Sequence, residues 1–199
     1  TTAGNYIPVY SGNSVYVAAL GVDSGYMTQV VYDFCRKWQR KHVFATKGVA
    51  APGKSAIGPE KRVDYNHNGK AIRHGARLRV MGVDTLKERV FQALAVNQPG
   101  PGFMHFPRGL ATEYFEGLTS EKKIPRRKKG AIVYEYVKTR ERNEPLDLEV
   151  GNHAVFIYAG GQRVNWDDLE RRINPQQRDI FAPLPGPLPQ RGEGEGSNA

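Results

Sequence analysis

Two aspartates sit in strings that could put carboxylates to chemical use. Asp23 closes an apolar run within GVDSGY at 21–26, and Asp147 lies within RNEPLD at 142–147, just inside a helix start. Magnesium is a hard cation that binds through carboxylates, water and substrate phosphates. Two-metal phosphoryl chemistry requires acidic side chains delivered from separate elements to one point. Such a pair suits hydrolysis assisted by Mg2+ or Mn2+. Two aspartates alone do not specify that chemistry, so the segments that must deliver them carry the weight.

Residues 14–22, SVYVAALGV, read as one buried strand of β-branched, aromatic and small residues. A helix is expected from Thr28 to about Arg40, because Val31, Phe34, Cys35 and Trp38 recur at helical steps. HVFAT at 42–46 reads as a second strand. A strand, a helix and a strand with short joins form a right-handed parallel crossover. Asp23 then falls at the carboxyl end of a parallel strand, where open α/β sheets bind ligands.

Residues 48–76 read as an irregular excursion, 77–82 as a strand and Thr85–Ala95 as a helix. FMHF, after a PGPG turn, reads as a short strand, Ala111–Leu118 as a helix and Lys122–Gly130 as a basic loop. AIVYEYVK at 131–138 alternates as a strand does. Asn143 is a candidate helix cap, with Glu144 and Pro145 in the first turn and Asp147 near the end that favours an anion. The stretch EVGNHAVFIYAGG that follows contains Gly151, Asn152 and Gly160-Gly161, which could leave this helix short or shifted. NWDDLERRI at 165–173 reads as a short helix capped by Asn165. One domain is expected over 1–174 and a disordered Pro/Gly-rich tail over 175–199.

The 199 residues carry a net charge of +9, with a pI near 9.7, a balance that makes nucleic acid a serious partner. Hydrophobic residues make up 39%, enough for a core. Cys35 is the single cysteine, which excludes an internal disulfide and a multi-cysteine zinc site. No apolar run approaches the ~18 residues of a membrane span. The first residue is Thr1 rather than Met, and the chain is read as a gene fragment.

Some motifs imitate sites. Gly48–Ser55, GVAAPGKS, matches the P-loop pattern, yet Gly58-Pro59 stands where the phosphate-binding helix should run. DYNHNG at 64–69 copies half of a calcium loop, but Gly75 occupies the position of the bidentate carboxylate. His42, His67, His74, His105 and His153 lack zinc-binding spacing. The basic stretches at 54–62 and 122–129, including Lys54, Arg126, Arg127, Lys128 and Lys129, suit DNA phosphates or simply solvated loops.

Five strings occur in one order: GVDSGYMTQVVYDFCRK, VFATKG, GVDTLKERVFQAL, PGPGFMHFP with TEYFEGLTSEK, and RNEPLD. Together they resemble the nuclease part of the large terminase subunit of tailed phages, of the lambda-like GpA type. The resemblance implies an RNase H-like α/β fold, a mixed sheet flanked by helices, and an endonuclease that cuts concatemeric double-stranded DNA during packaging. It implies two Mg2+ or Mn2+ ions held by carboxylates on a first strand, a fourth strand and a late helix. Asp23 matches the fourth-strand position and Asp147 the late-helix position; both are expected metal ligands and catalytic residues. Asp84, in GVDTLKE, is a third catalytic candidate that reads first as a helix cap or first-turn residue. Lys47, after VFAT, could meet a phosphate or be a plain surface lysine. The resemblance also implies a small terminase subunit and a portal as partners, in host cytoplasm. The first carboxylate and N-terminal strands are expected to precede Thr1, together with an ATP-driven motor domain. The alternative, in which Asp23 is itself the first-strand carboxylate and Asp84 the second, would complete the set within the chain. A catalytically incomplete DNA-binding or packaging-assembly remnant is the competing functional reading.

Overall fold

A computed structural model describes residues 6–8, 14–100 and 102–173. The elements, in chain order, are β1 (Tyr6–Pro8), β2 (Ser14–Tyr16), β3 (Leu20–Asp23), α1 (Thr28–Trp38), β4 (Val43–Val49), β5 (Ile57–His67) and β6 (Lys70–Gly82). They continue with α2 (Val83–Leu94), α3 (Thr112–Leu118), β7 (Glu121–Lys128), β8 (Ala131–Lys138), α4 (Glu144–Tyr158) and α5 (Trp166–Ile173). The chain divides into two units. Val17–Val164 belong to one; the short antiparallel pair β1–β2 and helix α5 belong to the other. In α5 the Asp168 N–H donates to Asn165 Oδ1 at 3.1 Å, the cap expected from the sequence.

The larger unit is built on a mixed sheet of order β3-β4-β6-β5, parallel from β3 to β6 and antiparallel at β5. Helices flank it, and the architecture is consistent with the expected RNase H-like fold. Side chains alternate across each strand, and the two faces have separate cores. Val43, Ala45, Leu78 and Ala76 pack with Tyr32 and Cys35 of α1. Met81 packs with Leu86 and Val90 of α2 and with Leu146, Val150 and Ala154 of α4. The four-residue spacing of Leu146, Val150 and Ala154 is what one buried helix stripe requires.

Several expectations need correction. Residues 14–22 do not form one buried strand: β2 and β3 are separate, and β3 is a partly exposed edge. The supposed excursion at 48–76 is largely a long hairpin, β5–β6, closed by Asn68 and Gly69 with φ of 49° and 75°. Two positive φ values in a two-residue turn match the twist of the flanking strands, which is why Asn-Gly serves there. Most of the basic stretch at 122–130 belongs to strand β7, which pairs along its length with β8 through a tight turn at Lys129 and Gly130. FMHF is not a strand: residues 103–106 are irregular, and their rings pack locally, Phe106 against Tyr114 and Phe115. The Pro/Gly-rich tail at 175–199 lies outside the described residues.

Candidate active site

Alternation decides what can meet at the carboxyl end of β3. Gly21 and Asp23 share one face of the strand. A Cβ on Gly21 would come within 2.8 Å of Val155 Cγ2, so this is the face that α4 covers. Asp23 therefore lies on the α4 side, level with Thr46 of β4. The following turn is tied down by hydrogen bonds within it and to β4. Ser24 is buried, and its N–H and Oγ–H donate to Thr46 O at 2.9 and 2.7 Å. Gly25 N–H donates to Asp23 Oδ1 at 3.2 Å, and Thr28 Oγ1 donates to Ser24 O at 2.8 Å. A Cβ at Gly25 would sit 3.1 Å from Asp23 Oδ2 and crowd the carboxylate.

Helix α4 brings the second carboxylate. Asp147, Gly151 and Val155 recur at four-residue steps and line the same cleft as Asp23. A Cβ at Gly151 would meet nothing within 4 Å, so this glycine faces open space and does not cut the helix short, although the sequence suggested it could. The cleft measures about 490 Å³; Glu144 and Leu148 also line it, with Thr46 and Met81 contributed by the sheet.

A buried polar junction lies behind Asp147. Asn143 Nδ2 donates to Asp147 Oδ2 at 3.0 Å and to Glu121 Oε1 at 3.2 Å, while Lys138 Nζ donates to Asn143 Oδ1 at 2.8 Å. Lys87 Nζ donates to Glu121 Oε2 at 2.5 Å. Asn143 stands at the N-cap position, but its side chain makes no cap hydrogen bond to α4. Asp147 is open to the cleft on one side. Burial on the other raises its pKa above the usual carboxylate range; Lys87 and Lys138 oppose the rise, while Glu121 and Glu144 add to it.

Oxygen donors suit a hard divalent cation completed by water and phosphate. Asp23 and Asp147 supply such donors from two elements, with Glu144 beside them. Among the described residues, no three His, Cys, Asp or Glu side chains are gathered closely enough to hold a metal ion. The residues fit the expected cation in donor chemistry and in the shared cleft, as an open set rather than a closed one.

Comparison with protein-family models matches residues 3–166 to the endonuclease domain of the terminase large subunit gpA. The chain belongs to this family. No curated protein and no solved structure matches it. The family's role is that of a nuclease in DNA packaging.

Within this terminase nuclease domain, the other candidates lie apart from the cleft. Asp84 is in the first turn of α2 and lines a second hollow of about 330 Å³ with Thr85, Glu88, Lys123 and Tyr136. Lys47 is exposed on β4, one residue beyond Thr46. Lys54 is exposed between β4 and β5, and its carbonyl accepts from Thr85 Oγ1 at 2.7 Å. The chain enters β5 at Ile57, so the P-loop imitation has no helix to present to a phosphate. Arg126, Arg127, Lys128 and Lys129 are exposed on the outer half of the β7–β8 ribbon, where Lys128 pairs with Glu135. No helix among the described residues is long and apolar enough to cross a membrane.

Sequence reasoning passed over Glu144, although its three-residue spacing from Asp147 places both on one helix face. It also missed the Lys87–Glu121–Asn143 junction. No local signal marks a pair 34 residues apart in sequence.

Proposed function

We propose that this chain is the catalytic nuclease part of a packaging terminase, hydrolysing phosphodiester bonds of concatemeric double-stranded DNA with Mg2+ or Mn2+. One observation carries the reading: Asp23 at the carboxyl end of β3 and Asp147 in the first turn of α4 open into one cleft. In it, Asp23 and Asp147 are the metal ligands, and Glu144 is a further acidic group beside them. Bound there, the cation would polarise a phosphoryl oxygen and acidify a water. The chain's own residues do the rest. The Ser24–Thr46 staples hold the Asp23 turn, and Met81, Val150 and Val155 give the cleft an apolar side.

The basic ribbon supplies DNA contact. A two-stranded β-ribbon fits the major groove of a duplex, and Arg126, Arg127, Lys128 and Lys129 extend along the outer part of this one. Together with Lys47 and Lys54 they contact phosphates, which positions the duplex without reading its sequence. The small terminase subunit, the portal and a host-cytoplasm setting belong to the same reading.

The test is plasmid nicking in Mn2+. Asp23→Asn and Asp147→Asn should each abolish cutting by the complete protein while leaving duplex binding largely intact. Normal cutting by either variant would overturn the site assignment. A second reading, a DNA-binding or assembly module with an incomplete metal site, is favoured by one observation: β3, which carries Asp23, is an edge of its sheet. Assaying this chain beside an N-terminally extended one separates the two, since cutting only by the extended chain supports completion from another segment.

A further inference from the structure

Asparagines at helix caps ordinarily accept hydrogen bonds from the backbone of the first turn. Asn143 does not, although it occupies that position before α4 and is only 8% exposed. Its amide is turned into the junction of β7, β8 and α4. Both of its contacts through Nδ2 are to carboxylates: Asp147 Oδ2 at 3.0 Å and Glu121 Oε1 at 3.2 Å. Lys138 Nζ, donating to Oδ1 at 2.8 Å, fixes which end of the amide faces the acids. Glu121 is held from its other oxygen by Lys87 at 2.5 Å, and both of these charged side chains are nearly buried. Asp147 Oδ1 has no hydrogen-bond partner among the described residues.

We propose that Asn143 is a positioning residue of the nuclease site. Braced by Lys138 and by the Lys87–Glu121 pair, it ties down Asp147 Oδ2 and leaves Oδ1 to a divalent cation in the cleft. The inference rests on the reading of that cleft as a cation site, and extends it to residues that touch no cation themselves. Partners in this outer layer orient the liganding oxygen, and their loss weakens metal binding about 10- to 100-fold. The neutral amide is suited to the place: it satisfies two carboxylates at once, where a cationic side chain would compete with the metal for Asp147.

The test is calorimetric titration of the full 199-residue chain with Mn2+ alone, so the readout does not depend on cutting. Asn143→Ala should weaken Mn2+ binding about 10- to 100-fold, and Lys138→Met should weaken it by less. Tyr114→Phe is the control. It removes a hydrogen bond of 3.1 Å to Glu149, elsewhere on α4, and should leave Mn2+ affinity unchanged. Unchanged affinity in both Asn143→Ala and Lys138→Met would overturn the proposal. So would an equal loss in Tyr114→Phe, because the effect would then come from helix placement. Absence of Mn2+ binding by the unaltered chain would instead overturn the reading of the cleft, and the proposal with it. Should Asn143→Ala not fold, Lys138→Met decides alone: unchanged affinity overturns the proposal and a loss supports it.

Discussion

Replacing Lys87 by Met should destabilise the domain more than replacing Lys87 and Glu121 together. The Lys87 and Glu121 side chains are 10% and 5% exposed, and their N···O distance is 2.5 Å. Lys87 Nζ also lies 5.6 Å from the centre of the Tyr136 ring. Met keeps the length of the lysine stem and its packing but removes the ammonium. Glu121 Oε2 then loses its donor, while Asn143 still reaches Oε1. Removing one partner of a buried pair costs about 3–5 kcal/mol, since a charge is left uncompensated. Against a typical total stability of about 5–15 kcal/mol, that is a large share. Combining Lys87→Met with Glu121→Gln leaves neutral groups of similar volume, and the new amide can still accept from Asn143. That double variant should cost less than Lys87→Met alone, about 1–3 kcal/mol for the amide N–H left without an acceptor, because no buried charge remains unpaired. Urea unfolding of both single variants and the double gives the coupling directly, provided the slopes agree. The exposed pair Lys123–Glu88, 3.0 Å apart at 38% and 50% exposure, is the internal comparison, and Lys123→Met should cost no more than about 1 kcal/mol. A Lys87→Met cost as small as that would refute the reasoning, and so would a double variant no more stable than the worse single one.

Two further outcomes are expected. Converting Arg126 and Arg127 to Ala should lower the slope of log affinity against log salt for duplex DNA by about 0.9 for each phosphate the ribbon no longer neutralises. An unchanged slope, measured by fluorescence anisotropy over a salt series, would place the ribbon off the DNA. Burial pushes the Cys35 thiol from 9.0 up to about 11. The unfolded chain then loses this proton first as pH rises, so the native state binds more protons across that window and stability falls through it. Cys35→Ala should make the decline between pH 9 and 11 shallower, tyrosines contributing equally in both proteins; identical pH slopes in denaturant titrations would exclude the effect.

The fold was legible wherever short-range pattern determines structure. Val31, Cys35 and Trp38 announced α1, and the apolar stretch before Asp23 announced a strand ending there, although it ran β2 and β3 together as one. The long hairpin β5–β6 was not, because its strands are polar and largely exposed along β5, so the alternation that marks a half-buried strand is weak. The Asn68-Gly69 turn is the available signal, but it falls inside DYNHNG, a string that imitates a calcium loop. The ribbon β7–β8 is hidden for a related reason: KKIPRRKK has the composition of a loop, and only its partner AIVYEYVK reads as a strand. Pairing supplies what composition withholds, since each exposed lysine or arginine from Lys122 to Lys128 holds a place in a ladder.

The candidate site divides along the same line. What fixes Asp23 is partly local: Gly25 and Thr28 act within five residues of it, while Ser24 donates to Thr46 on the neighbouring strand. What fixes Asp147 is not. Its neighbours Glu144 and Asn143 are close in sequence, but Glu121, Lys138 and Lys87 come from β7, β8 and α2, and only the packed fold brings them to Asn143. RNEPLD could therefore announce a carboxylate at a helix start and still misassign Asn143 as an ordinary cap. A capping asparagine and a bridging one have the same sequence signature. They differ in whether buried charges stand within reach of the amide, and here Glu121 stands 3.2 Å away. A cap contributes to the stability of one helix, whereas a bridge couples the position of Asp147 to two strands and a second helix. Perturbing Lys138 should therefore register at the cleft through Asn143, although Lys138 lies outside α4 altogether.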